Sequence, residues 1–241
     1  MTPTLLETHL LTVAGIGSGD GGTPPGGGAG ITVEGFTVVD ILASPFNVTL
    51  PAEVEEDDII YAFAGGRSGA TFGPPATYAG QDIYSYDEGG NTKIDGWWRR
   101  AGAGEGGSTE QWTSSNISRQ NQFGLIVIRG CTDTGDPQDV PHIKVSAYSD
   151  TPSCPAGATL TAGSIVVWMY GQRYSGTAPV EDTGYPAVGD AQGVFRRWIN
   201  PSVLGCAYKV IPDAGAWVGD LWGAWAGEAN LHIETAVIFK P

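Results

Sequence analysis

The chain has 241 residues, enough for one large all-β domain or two small ones with a sizeable core. Glycine accounts for 37 positions, about twice its usual share, whereas charged residues make up only 16%. With 41% hydrophobic residues and 8 Trp, most of the chain is not disordered; the glycine has no three-residue period, and no apolar run is long enough for a transmembrane helix. Twelve Lys and Arg against 26 Asp and Glu give a formal charge of −14, which repels nucleic acid and anionic membranes and suits solubility or a partner with a basic face.

Residues 3–14 carry five large aliphatics, Leu5, Leu6, Leu10, Leu11 and Val13. Their spacing fits a short helix, and Leu10–Val13 also fits a strand; alone, so short a segment is marginal in water. No basic region and no long apolar run mark a secretory signal, so synthesis in a cytoplasm without general export is expected. Gly15–Gly30 follows, nine of whose sixteen residues are Gly, with Pro24-Pro25 inside it. That composition makes a linker and cannot pack a core. The expected organisation is therefore a segment at 1–14, a Gly-rich linker at 15–30 and a β-sandwich domain at 31–241. Two readings of residues 1–14 stand: a frayed terminus, or an anchor that inserts into a partner.

From Ile31 the chain reads as strands and turns. Phe36–Leu42 is rich in β-formers, Phe46–Leu50 alternates apolar and polar, and Pro51 stops it. Glu53–Asp58 is an acidic turn. Ile59–Ala64 is a continuous apolar run, as in a central sandwich strand. Further strands are predicted at Gln81–Tyr86, Lys93–Arg100, Glu110–Asn116, Phe123–Arg129, Ile143–Ser149, Ser164–Tyr170, Gly193–Trp198, Val203–Val210, Leu221–Trp225 and Leu231–Phe239. Gly, Pro, Asn and Asp punctuate them, and no window from Ile31 onward gives a convincing amphipathic helix. The fold class is all-β, an antiparallel sandwich or jelly roll with an N-terminal Gly-rich tethered arm. Its core is expected to include Ile59, Tyr61, Phe63, Leu125, Val127, Val166, Trp168, Ile233 and Val237. One pattern occurs twice: Pro51-Ala52, a turn and an apolar strand from Ile59, then Pro155-Ala156, a turn and an apolar strand from Ile165. This fits two facing halves of one sandwich or coincidence, and is too weak to define a repeat.

Motifs for chemistry are scarce. His9, His142 and His232 lie apart from one another and from the cysteines, and no HExxH, GxSxG or phosphate-loop pattern occurs. Cys131, Cys154 and Cys206 form an odd set without CxxC spacing and read as small hydrophobes; whether two of them pair is open. Asp133, Asp136 and Asp139 sit three apart in a loop where Ca²⁺ is conceivable, but Asp is an ordinary turn former. Glu55–Asp58 reads as a solvated turn. No catalytic residue, cofactor or metal is assigned. The aromatics stand out more. Adjacent Trp97 and Trp98 point to opposite faces of a strand, so a sheet with one solvated face would leave one indole exposed or covered by a partner. Trp222 and Trp225 lie in a Gly/Ala-rich stretch. Core filling explains most of the Trp residues; exposed ones would suit stacking on sugars or a protein interface.

Four places carry a family resemblance: Phe46–Ala52 with the acidic turn and Asp58–Phe63; Trp97–Ala101 with the turn before Glu110–Thr113; Gly124–Gly130 followed by Asp136-Pro137; and the closing strand His232–Phe239. Across roughly 36–241 the chain resembles the β-sandwich, jelly-roll-like modules of tailed-bacteriophage virion proteins. The resemblance implies a non-enzymatic virion component; major capsid or tail proteins are the expected partners, with homo-oligomers and synthesis in the host cytoplasm, while charge and hydropathy argue against nucleic-acid binding and membrane insertion. The preferred version is a capsid accessory or decoration protein held by its N-terminal arm and sandwich surface. Leu5, Leu6, Leu10, Leu11, Val13, Trp97, Trp98, Trp222 and Trp225 are the candidate partner-binding residues. A tail or fibre-base component is the near alternative, and a carbohydrate-binding module for a host glycan is the second class. An enzyme such as a glycan hydrolase is the third.

Overall fold

A computed structural model describes residues 30–66, 69–78, 82–88, 92–117, 121–149, 153–154, 158–173, 192–199, 202–217, 220–221 and 230–241. The first half holds β1 (Thr32–Asp40), β2 (Phe46–Thr49), β3 (Ile59–Gly66), β4 (Phe72–Gly73), a 3₁₀ turn (Ala76–Tyr78), β5 (Asp82–Glu88), β6 (Thr92–Arg100), β7 (Thr109–Ser114) and β8 (Gln122–Arg129). The second half holds β9 (Gln138–Ser149), β10 (Ser153–Cys154), β11 (Ala158–Leu160), β12 (Ile165–Arg173), β13 (Gln192–Ile199), β14 (Ser202–Val210), β15 (Gly215–Trp217), β16 (Asp220–Leu221) and β17 (Asn230–Phe239). The all-β sandwich expected from the sequence is what the chain forms.

Two five-stranded antiparallel sheets make the centre of the molecule. The first runs β1-β8-β3-β6-β5 and the second β13-β14-β12-β17-β9. Each is built from one half of the chain, and the apolar strands β3 and β12 are their central members. The two strands that share the Pro-Ala pattern therefore occupy the same place in two facing sheets. Period-two alternation decides what fills the space between them. Ile59, Tyr61 and Phe63 of β3 and Ile126 and Ile128 of β8 meet Ile165, Val167 and Met169 of β12 and Ile233, Val237 and Phe239 of β17 in one buried core. Tyr61 Oη donates to Met169 Sδ at 2.8 Å across this core.

The opposite face of the first sheet is also covered. Ile60, Ala62, Leu125, Val127 and Trp97 pack in a second core with Phe46 and Val48 of β2, Phe72 of β4 and Trp112 of β7. Those three strands form a small sheet ordered β2-β7-β4. The second sheet buries its other face as well, through Val166, Trp168, Tyr170, Ala236 and Ile238. All nine residues expected in the core are buried. Two faces covered on every central strand explains why β3 and β12 read as unbroken apolar runs rather than alternating ones.

Candidate functional site: a buried ionic stripe on β6

Strand β6 departs from that apolar rule. Lys93, Asp95, Trp97 and Arg99 alternate onto one face of it, toward the second core, and all four are buried. Lys93 Nζ pairs with Asp95 Oδ2 at 3.0 Å, donates to the Ala70 carbonyl at 2.8 Å and lies 5.9 Å from the centre of the Phe72 ring. Arg99, only 6% exposed, donates from Nε (3.0 Å) and Nη2 (2.6 Å) to Glu110 Oε1, and from Nη1 to the Arg100 carbonyl (2.9 Å). Nη1 also meets Glu105 Oε2 at 2.6 Å. The other oxygen of Glu110 accepts from Tyr78 Oη (3.1 Å) and Trp112 Nε1 (3.3 Å). The Tyr78 ring lies 5.3 Å from the guanidinium, in cation–π range.

This network joins β6, β7, the 3₁₀ turn and the Gly-rich loop 101–108. Burial, and then the Glu110 carboxylate, push the Tyr78 hydroxyl well above its ordinary range. Burial opposes the charge on Arg99, but its bonds to Glu110 and the neighbouring Tyr78 and Glu110 raise its pKa on balance. Each ion thus meets a partner, as a low-dielectric site demands. The arrangement holds a charge, with Glu105 and Glu110 both engaged by Arg99 and Asp95 by Lys93.

A second cluster closes the end of β8. Arg129 makes a two-point bond to Asp58, Nε to Oδ1 and Nη2 to Oδ2, both 2.9 Å, and donates to the Glu53 carbonyl at 2.7 Å. Glu34 and Glu55 lie 3.4 Å from Nη1. Glu55–Asp58, expected to be a solvated turn, is so only in part: Glu55, Glu56 and Asp57 are exposed, whereas Asp58 is 3% exposed because Arg129 neutralises it. In the 133–139 loop, Asp136 Oδ1 accepts the Gln138 N–H. Asp139 accepts from the Thr161 N–H (2.6 Å), Thr161 Oγ1 (2.7 Å) and Ser164 Oγ (2.9 Å). Burial works against its charge, but these bonds prevail and lower its pKa. That carboxylate caps a turn, and no group of three His, Cys, Asp or Glu that could hold a metal occurs among the described residues.

The candidate partner-binding residues divide. Leu5, Leu6, Leu10, Leu11, Val13, Trp222 and Trp225 lie outside the described residues. Trp97 is 5% exposed, its ring 5.3 Å from that of Trp112 in a T-shaped contact. Trp98, half-buried, packs on the core between the five-stranded sheets. The condition for a solvated indole, a sheet with one solvated face, is not met at β6: the Trp97 side lies in the core shared with β2, β4 and β7, and the Trp98 side meets the core between the five-stranded sheets. The sequence reading missed Arg99, Glu105, Glu110 and Tyr78; the signal was Arg99 at the same strand parity as Trp97. Cys131 and Cys206 are free thiols in or against the central core, and the side chain of Cys154 lies outside the described residues. No protein-family model, curated protein or solved structure matches the chain.

Proposed function

We propose that this chain is a non-enzymatic structural protein of a tailed-bacteriophage particle, an accessory or decoration protein of the capsid. The observation that carries the reading is a layered β body whose buried charges are neutralised within it, joined at Gly30 to a segment whose composition is that of a tether. Such a body offers rigidity and surface. An arm with five large aliphatics offers a second point of attachment, since burying them on a partner gains about 25 cal/mol per Å² of apolar area against about 1–2 kcal/mol per residue ordered. Avidity from two attachments suits a module held on a shell.

Removing residues 1–29 tests the attachment. The truncated chain is expected to keep its β circular-dichroism spectrum and to bind purified particles at reduced occupancy. Full occupancy would assign the contact to the sandwich surface alone. No binding to particles by either the full or the truncated chain would defeat the virion reading.

A further inference from the structure

We infer that the chain is two copies of one module fused in tandem, and that the five-stranded sheet of each is a self-association surface whose partner is the other copy. Numbering the long strands within each half, the first sheet runs β1, β8, β3, β6, β5 and the second, from its other edge, β9, β17, β12, β14, β13; both orders are first, fifth, second, fourth, third. Short strands of the two halves also correspond. In each half a strand between the first and second long strands pairs with one between the fourth and fifth: β2 with β7, and β11 with β15.

Register makes the match residue by residue. Ile59 sits opposite Arg100 and Ile128, and Ile165 opposite Val210 and Phe239. Setting Ile59 on Ile165 superposes two irregularities that nothing in a generic sandwich requires. The β5–β6 ladder shifts between Asp82 and Tyr84, opposite Trp97 and Gly96; the β13–β14 ladder shifts between Gly193 and Phe195, opposite Ala207 and Cys206, the matching positions. The turn before the central strand also recurs. Asp57 N–H donates to the Ala101 carbonyl, Gly163 N–H to the Ile211 carbonyl; Ala101 N–H returns to Asp58 and Ile211 N–H to Ser164. Asp57 and Gly163 both have positive φ, 71° and 83°.

The packing between the sheets is reciprocal. Gly65 matches Gly171, and their cross-strand neighbours Ile94 and Leu204 match each other. A Cβ on Gly65 would meet Leu204 Cδ1 at 2.7 Å, and one on Gly171 would meet Ile94 Cδ1 at 2.6 Å. Exchanging the halves exchanges these contacts, the signature of a two-fold relation in which residue i touches j and j touches i. Strand contacts follow it too: β3 touches β14 as β12 touches β6, and β1 touches β13 as β9 touches β5.

Double-mutant cycles on the full chain test this. Gly65→Ala and Gly171→Ala are each expected to lower Tm by a similar amount, about 2–8 °C for overpacking in a chain of this size. Coupling is expected between Gly65→Ala and Leu204→Val and between Gly171→Ala and Ile94→Val, larger across the sheets than for the pairs within one sheet. Should a glycine variant fail to fold, Ile94→Ala and Leu204→Ala serve alone, with Tm losses expected to agree within about twofold. Coupling confined to neighbours in one sheet, or losses that differ more widely than that, would overturn the two-fold relation.

Discussion

Gln122 shows how single positions depart from the rule that buried polar atoms are paired. It is fully buried on β8, alternation turns it to the same side as Ile126, and neither amide atom has a hydrogen-bond partner among the described residues. Its counterpart in the other half is Ile233. An unsatisfied buried amide costs about 1–3 kcal/mol, so Gln122→Met is expected to stabilise the protein by about 1–2 kcal/mol in urea unfolding. Arg99 presents the converse case. Glu110→Gln leaves the buried guanidinium with Glu105 as its remaining carboxylate, and is expected to cost about 1.5–3 kcal/mol, the range for hydrogen bonds to a charged group. Arg99→Met with Glu110→Gln together is expected to cost less than the sum, because neither ion is then stranded. The half-buried Cys131 and the buried Cys206 and Tyr78 set the alkaline limit. Burial pushes Cys131 up to about 12 and moves Cys206 and Tyr78 in the same direction. Folded, these groups keep protons that the unfolded chain starts to lose above about pH 8.5 for Cys and about pH 10 for Tyr. Their contribution is complete below those values and is lost as pH rises toward the folded-state pKa values. Tm is therefore expected to decline from about pH 8.5 upward, and substituting Ser for Cys206 is expected to flatten that decline.

At the scale of elements, the turn before each central strand is the sharpest comparison. Asp57 occupies the left-handed region that glycine fills at 163. Asp57→Gly is expected to be neutral or to stabilise by up to about 1 kcal/mol, whereas Gly163→Ala is expected to lose about 1 kcal/mol. Urea unfolding of the two variants checks both signs. The long strands were legible in the sequence because apolar runs, alternation and Gly or Pro punctuation mark them. β4, β10, β11 and β15 were not, since two or three residues carry no period. Trp97 and Arg99 were hard to place for a different reason: alternation tells which residues share a face but not what covers it, and Glu110 and Trp112 of β7, close in sequence, cover that face here. The buried Asp58 was hidden likewise, because its partner Arg129 is 71 residues away. The Pro-Ala echo was visible, but its meaning lay in the pairing of β3 and β12 with their neighbours, which only register discloses.

For the whole molecule, the two proposed modules bury the facing sides of their five-stranded sheets against each other. One edge sets β1 beside β13 and the other sets β9 beside β5, so the halves exchange them. The formal charge of −14 makes the proposed attachment depend on a basic face of its partner and weaken with added salt. The proposed virion role is tested most directly by the copy number of this chain in purified phage particles, by quantitative mass spectrometry against the major capsid protein. A capsid decoration protein is expected at hundreds of copies, in simple ratio to the shell subunit; a handful of copies would move it to the tail, and its absence from the particles would contradict the virion assignment.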